Sequence, residues 1–468
     1  MSRKKKILIT LALMPAVLAV LFVLLIGPWP VYKDSNYADQ SYYRKAMAAI
    51  GEEAAQNSFT ANPGRLQAGW AKRRITPAVG VPMGGYSARK NEKKSIGVRD
   101  DLYVRAMALS DGVDTVVLVG SDMLIIPPNL SEAVRENVAA QSGLTANQIL
   151  FNASHTHCGP GGFMPGLASK ISGGAFDPAL VQYLVTGFTE AIVEAVGAME
   201  PAALASGSVD APQYIRNRMR DGGTVDPELS FLVLRQDDGD TCYIASYSAH
   251  PTNFGGGMLE FSAEYPGELM RHLEGETQHD AQYLGGAVGS MGPNAPEGED
   301  AASRVVAMGQ ALGQLILDND DSLEFRDSLD IAAIGVPVGM PEFQVRPIES
   351  NVDWRISPLL AGFLGLKREG WIHGVRIGDL FFVGMPFDFS GEASVEWKQW
   401  AARQGLDLWT LSFCSTYCGY FSPDRYYLET PLNYETGGMS WFGPNVEAYY
   451  TELFHELVAK LGVDNGEG

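Results

Sequence analysis

The chain has 468 residues, 46% hydrophobic and 19% charged, enough to bury a large core in either roughly two to three domains or one large enzyme domain. Its formal charge of −20 excludes a nucleic-acid partner, because a phosphate backbone demands a basic face. Four cysteines are too few for a disulfide framework; Cys414–Cys418 and Cys158–Cys418 are both conceivable bridges, and spacing does not choose between them.

The only basic cluster is terminal. Arg3, Lys4, Lys5 and Lys6 precede Ile7–Gly27, 21 residues with no charge and a single proline, Pro15. That length suits a membrane-spanning helix, and the flanking charge predicts a cytoplasmic N-terminus. A cleaved signal peptide would have a shorter apolar core and an Ala-x-Ala-like site, whereas Gly27-Pro28-Trp29-Pro30 is a poor one, so residues 1–27 read as an uncleaved signal anchor. Either reading places the body outside the cytoplasm, periplasmic or extracellular. Residues 28–65 are polar, with a helical patch over Tyr42–Ala55, and read as a stalk.

From Ala68 the pattern alternates. Strands are predicted at Tyr103–Leu109, Thr115–Val119, Gln148–Ala153, Phe231–Leu234, Cys242–Tyr247, Ile331–Val338, Val375–Val383 and Leu408–Phe413. Helices are predicted at Leu130–Ala140, Pro178–Met199, Ala301–Leu317, Glu392–Gln404 and Val446–Leu461, the last capped by Asn445. No linker-like break or repeat interrupts the series. The expectation is an α/β fold: a large mixed β-sheet core flanked by helices, one catalytic domain over 66–462 with its site at strand ends, and a short tail over 463–468.

Four strand-like runs end in residues that carry chemistry. Ile149-Leu150-Phe151 leads into Asn152-Ala153-Ser154-His155-Thr156-His157-Cys158-Gly159-Pro160-Gly161-Gly162, which puts two of seven histidines one residue apart before a Gly/Pro-rich loop. Such an arrangement suits a metal or acid/base site, and equally a surface pair beside a turn. His250 follows Cys242–Tyr247 in the same manner, in Ser248-Ala249-His250-Pro251. Asp388 lies between Phe387 and Phe389, where a carboxylate is costly unless it is paired or binds metal; Ser390 suits the cap of the following helix better. Tyr420, in Tyr417-Cys418-Gly419-Tyr420, could offer its phenol to a metal or an oxyanion, or simply pack.

Taken in order, Gly69-Trp70-Ala71-Lys72, Ile75-Thr76-Pro77, Val81-Pro82-Met83-Gly84-Gly85-Tyr86, Asp101-Leu102-Tyr103-Val104-Arg105-Ala106, the His-Thr-His-Cys-Gly-Pro-Gly-Gly loop, Asn217-Arg218, Ala249-His250-Pro251-Thr252, Gly292-Pro293-Asn294, Pro386-Phe387-Asp388-Phe389, Tyr417-Cys418-Gly419-Tyr420, Tyr434-Glu435 and Phe442-Gly443-Pro444 resemble the neutral/alkaline non-lysosomal ceramidase family, over roughly 66–462. The resemblance implies a zinc amidohydrolase that splits ceramide into sphingosine and a fatty acid. It implies His155, His250, Asp388 and Tyr420 as Zn2+ ligands, His157 as an acid/base or positioning group, and Arg218 as an orienter of substrate. The oxyanion would be held by zinc with Tyr434 or Arg218.

Three departures stand out. The family's carboxylate ligand is a glutamate, here Asp388, with Glu392 as fallback. The family serine of its Ser-Pro-Asn segment is replaced by Gly292, although Ser290 lies two residues away. The C-terminal β-sandwich of longer members does not follow. Loss of that serine favours attack by zinc-activated water over an acyl-enzyme. The expected substrate is an amphiphilic lipid amide or another small amide, met at a membrane to which the N-terminal helix attaches. Two alternatives stay open: a zinc hydrolase acting on a different amide or ester, and a non-catalytic binding protein that keeps the zinc scaffold.

Overall fold

A computed structural model describes residues 3–31, 36–56, 64–87, 89, 94–347, 354–429, 432–433 and 435–462. Its larger sheet uses eight strands: β1 (Gln67–Arg74), β2 (Tyr103–Ser110), β3 (Thr115–Ser121), β4 (Ile149–Ala153), β5 (Glu200–Asp210), β6 (Glu228–Gln236), β7 (Thr241–Tyr247) and β8 (Asp280–Gly285), in the spatial order β8-β7-β6-β5-β1-β2-β3-β4. The smaller sheet orders β9 (Ile331–Gly339), β10 (Glu369–Ile377), β11 (Leu380–Gly384) and β12 (Asp407–Leu411) consecutively. The helices are α1 (Arg3–Leu25), α2 (Ser41–Gln56), α3 (Pro128–Ser142), α4 (Leu167–Gly173), α5 (Pro178–Gly197), α6 (Glu264–Thr277), α7 (Ala301–Leu317), α8 (Pro358–Phe363), α9 (Gly391–Arg403) and α10 (Val446–Lys460).

Most neighbouring strands are antiparallel, but β3/β4, β7/β8 and β11/β12 are parallel, and helices α3, α6 and α9 respectively make the crossovers. Strands of these pairs are apolar on both faces: Val116, Val117, Leu118 and Val119 are all buried, as are Leu380 to Val383. The two sheets pack face to face. Leu118, Leu150, Leu232 and Ile244 of the larger sheet share one core with Val375, Ile377, Phe382 and Trp409 of the smaller. Helices α3 and α5 cover the outer face of the larger sheet through Val134, Leu184, Phe188 and Ile192, and α2, α9 and α10 cover the smaller one. The result is four layers, helix–sheet–sheet–helix, and not one sheet between helices. The run Val375–Val383, expected as one strand, turns at Gly378 (φ +62°) into the β10–β11 hairpin, and this creates the second sheet.

The larger sheet also curls until its ends meet. The Asn152 side chain, on β4, donates to Gly285 O of β8 at 3.1 Å and accepts from Gly285 N at 2.6 Å, and Gln282 Nε2 donates to Leu118 O at 3.0 Å. Gly120 permits this approach, since a Cβ there would lie 2.4 Å from Tyr283 O. Asn152 Nδ2 also donates to Ser412 O at 2.8 Å, just past β12, so one buried amide ties three strand ends together.

The helical patch expected over Tyr42–Ala55 is α2, and within the span read as a stalk it packs on the body, with Ala46 and Ile50 buried against the smaller sheet. The amphipathic spacing of these residues already carries the reason: the helix has an apolar face to bury. Strands β1, β5 and β8 and helices α4, α6 and α8 escape the pattern reading; β5 reads Glu-Pro-Ala-Ala-Leu-Ala-Ser-Gly-Ser-Val-Asp, too small-residue-rich to signal a strand. All four cysteines are free and buried. Ser390 caps α9 by accepting from Ala393 N, whereas Asn445 caps α10 without a side-chain bond: Asp424 accepts from Asn445, Glu447 and Ala448 N–H groups in its place. Among the described residues, α5 has the length and apolarity to cross a membrane, and it packs in the core; the apolar part of α1, Ala12–Leu25, is shorter.

Candidate metal centre

Four strand ends deliver the site. The chain leaves β4 at Ala153 and turns at His155, which holds a left-handed backbone (φ +66°) with its N–H bonded to Met123 O. His155 Nδ1 donates to Leu124 O at 2.5 Å. His250, beyond β7, donates from Nδ1 to Val288 O at 3.1 Å. A carbonyl oxygen only accepts, so both rings carry a proton on Nδ1 and turn Nε2 towards the site. Those nitrogens converge: His157 Nε2 lies 3.2 Å from His155 Nε2 and 2.9 Å from His250 Nε2.

Asp388 enters from beyond β11. Its Oδ1 sits 3.2 Å from His155 Nε2 and has no hydrogen-bond donor, while Oδ2 accepts from the Tyr417 hydroxyl at 2.7 Å. His155, His157, His250 and Asp388 are all buried. Burial pushes the His157 and His250 pKa values well below the ordinary imidazole range, with neighbouring imidazoles and the Arg218 charge acting the same way. Imidazole nitrogens held this close together, those of His157 and His250 on rings that burial keeps neutral, lack a positive charge between them. A divalent cation fits the three imidazole nitrogens, with the second ring nitrogen of His155 and of His250 fixed on a carbonyl and the Asp388 carboxylate beside His155. The clustering brings His157 into the convergence itself, where the sequence reading put it beside the metal.

Tyr420 reaches the site by backbone pairing. It bridges to Asp388 in parallel fashion, with Asp388 N donating to Gly419 O at 3.0 Å and Phe421 N to Asp388 O at 3.0 Å. Arg218 follows the short pairing of Ile215–Asn217 with Met291–Pro293. Its guanidinium donates to Gly289 O at 2.9 Å and to the Tyr420 hydroxyl at 2.9 Å, and lies over the Tyr420 ring. The surrounding Tyr420, Glu435 and Asp388 raise its pKa further, against the effect of burial, so it stays cationic. Tyr434 lies outside the described residues.

Glu392 has its own company. It accepts from Asn217 at 2.7 Å, Tyr426 at 3.1 Å, Ser390 at 2.8 Å and the Ser290 hydroxyl, so it is satisfied away from the imidazoles. Ser290 is thereby locked as well, since its Oγ also accepts from Gly391 N at 3.0 Å. At Gly292 a Cβ would meet Arg218 Cβ at 3.4 Å, ordinary contact, so the backbone there does not demand glycine.

The sequence reading missed the supports. Phe413 stacks on His155, and Tyr86 packs at 4.7 Å against His157. Arg89 donates to Gly84 O at 3.1 Å and to His157 O, pinning the 84–86 loop beneath that ring. Tyr417 had a legible signal, three residues before Tyr420 in the same segment; Arg89 had none.

A family model described as "Neutral/alkaline non-lysosomal ceramidase, N-terminal" matches residues 66–298. The chain is similar to the neutral ceramidase of Pseudomonas aeruginosa, 22% identical over 486 residues covering 84% of this chain and 72% of that one. It is also similar to the neutral ceramidase of Mycobacterium tuberculosis, 25% identical over 216 residues, 42% of this chain and 34% of that one. Among solved structures, the neutral ceramidase from Pseudomonas aeruginosa superimposes with a TM-score of 0.74 at 20% identity, covering 86% of this chain and 75% of the other. A ceramidase complexed with C2 gives 0.73 at 18% identity, covering 84% and 75%. At these identities the structural likeness speaks for the fold.

Proposed function

The chain belongs to the neutral/alkaline non-lysosomal ceramidase family, and from that premise we propose that it is an exported, membrane-anchored zinc hydrolase that cleaves the amide bond of a ceramide-like lipid. The observation that carries the reading is the convergence of three buried histidine Nε2 atoms, with an undonated oxygen of Asp388 3.2 Å from that of His155. His155, His250, Asp388 and Tyr420 would hold the ion. When bound, zinc supplies a water acidic enough to ionise near neutral pH and a Lewis acid for the amide carbonyl.

The chain's own residues do the rest. Arg218, fixed by Gly289 O and Tyr420, puts a permanent positive charge where the carbonyl oxygen becomes an oxyanion, with Tyr434 proposed as a second donor. His157, kept neutral by burial, accepts a proton at Nε2 as water adds to the carbonyl carbon. It returns that proton to the amide nitrogen as the C–N bond breaks, releasing a fatty acid and a sphingoid amine. Ser290, held by Glu392 and Gly391 N, is not placed to act as a nucleophile, in keeping with direct hydrolysis. Anchoring is supported by the helical span of α1, about 34 Å at 1.5 Å per residue, and by the exposed apolar side chains from Leu13 to Ile26.

The test is metal analysis of the purified chain beside turnover of an N-acyl sphingoid substrate. Wild type is expected to carry one zinc and release fatty acid. His155→Ala and His250→Ala should lose the metal, and His157→Ala should keep it while losing turnover. A metal-free wild type overturns the reading; stoichiometric zinc with no turnover of amides or esters favours the non-catalytic scaffold.

A further inference from the structure

At the foot of α1 the body exposes apolar side chains that no core cluster uses. Ser357 joins the two: its N–H donates to Ile26 O at 2.8 Å and its hydroxyl to Leu24 O at 2.6 Å, and it caps α8. Helix α8 then presents Leu359 and Phe363 to solvent, 60% and 75% exposed. Its C-terminal end holds α4, because Ala168 N donates to Leu364 O at 3.1 Å. Helix α4 adds Leu167 and Ile171, and Phe176 follows, all exposed. Several exposed aliphatic and aromatic side chains on two joined helices are costly in water and mark a docking face.

The charge pattern is as telling. The chain has 55 acidic residues, yet neither 154–176 nor 354–368 contains one. Lys170, Lys367 and Arg368 stand exposed in and beside those segments. In a chain with a formal charge of −20, this is the side that an anionic bilayer does not repel. The same segment touches the site. Asp177 N donates to Gly162 O at 2.8 Å, and a Cβ at Gly161 would collide with Gly173 O, so the turn after α4 lies directly on the loop that carries His155 and His157.

We propose that α8 and α4 form an interfacial platform that dips into the bilayer beside α1, so that the rim of the metal centre faces lipid. The platform rests on the reading of α1 as a membrane anchor. Aromatic and aliphatic side chains with flanking lysines are the composition of helices that lie in a membrane surface. A lipid amide then reaches the His155–His157 loop from the bilayer and not through water.

Site-directed spin labelling tests this on the full chain, because all four native cysteines are buried and an introduced thiol labels selectively. Phe363→Cys, Ile171→Cys and, as a control on the β2–β3 hairpin, Val113→Cys are reconstituted in phosphatidylcholine/phosphatidylglycerol vesicles. All three positions are exposed, so the labels should not disturb folding. The 363 and 171 labels are expected to favour oxygen over a water-soluble nickel chelate by about fivefold or more relative to 113. A chain that floats with the vesicles while both labels stay as wet as 113 overturns the platform and leaves the anchor standing. A chain that fails to float overturns the anchor, and the platform with it. Labels shielded from both relaxants mark a protein contact, such as a second copy of this chain, and also overturn the bilayer as occupant.

Discussion

The imidazole of His155 lies flat on the ring of Phe413, with centroids 4.0 Å apart and planes 4° from parallel, and both residues hold left-handed backbones, φ +66° and +61°. Two non-glycine residues in that region each cost about 1 kcal/mol or more, and such strain persists only where the surroundings over-determine it. Here the stack and the Leu124 carbonyl together leave the His155 ring a single orientation, with Nε2 facing His157 and Asp388.

Phe413→Leu should therefore weaken metal binding without unfolding the chain. Volume and apolarity are nearly kept while the flat face that orients the imidazole is lost. A roughly tenfold or larger drop in zinc affinity, measured by competition with a chromophoric chelator, is expected, as for other groups that orient a ligand. Unchanged affinity would mean that the Leu124 bond alone sets the ring.

His157 rests against Gly85, whose φ is +96° and where a Cβ would lie 2.6 Å from Nδ1. Gly85→Ala should push that ring aside while leaving His155, His250 and Asp388 in place. The expected outcome is zinc content near wild type with turnover down by about a hundredfold, the cost of a small misplacement of a catalytic group. Loss of zinc in parallel with turnover would instead make His157 a ligand.

Asn152 makes three buried hydrogen bonds that tie β4, β8 and the end of β12. Removing the amide leaves Gly285 N, Gly285 O and Ser412 O without that partner, at a cost of about 3–5 kcal/mol for Asn152→Ala. Asn152→Asp should be worse, since it keeps the acceptor for Gly285 N but sets a carboxylate against two carbonyl oxygens. Urea denaturation midpoints of the two variants check both the size and the order.

Glu447, at the start of α10, has its pKa raised to about 7 by burial and by the neighbouring Asp424 and Glu396, against the N–H of Asp424 that bonds it. A raised folded-state value means that the native chain binds the proton more tightly than the unfolded one. The stabilisation is complete below the ordinary carboxylate pKa near 4.5 and is lost as pH rises through about 7. Glu447→Gln keeps an acceptor for Asp424 N and removes this slope. The variant's melting temperature should exceed that of wild type above pH 7 and converge with it below pH 5, read by calorimetry across that range.

Much was legible in residue order because it is local. Apolar runs of strand length, Gly/Pro loops after them and the motif series disclosed which residues end up at strand ends: His155, His250, Asp388 and Tyr420 each follow one. Ser390 as a helix cap was readable for the same reason, since a cap and its N–H partners lie within one turn. Residue order could also show that Ser290 and Glu392 are present, but not that they bond each other 102 positions apart.

The rest depended on folding. Whether the larger sheet stays open or curls until Asn152 meets Gly285 is a sum of twist and contacts among eight strands, and that curl brings the ends of β4 and β7 together. The pairing of Phe413 with His155 and of α8 with the foot of α1 likewise joins segments hundreds of residues apart, and even Tyr417 meets Asp388 only across the crossover through α9 and β12. Local chemistry set which side chains were available. Long-range packing alone decided which of them face one another, because only burial in a shared interior, away from water, makes a lone pair or a carboxylate need a partner.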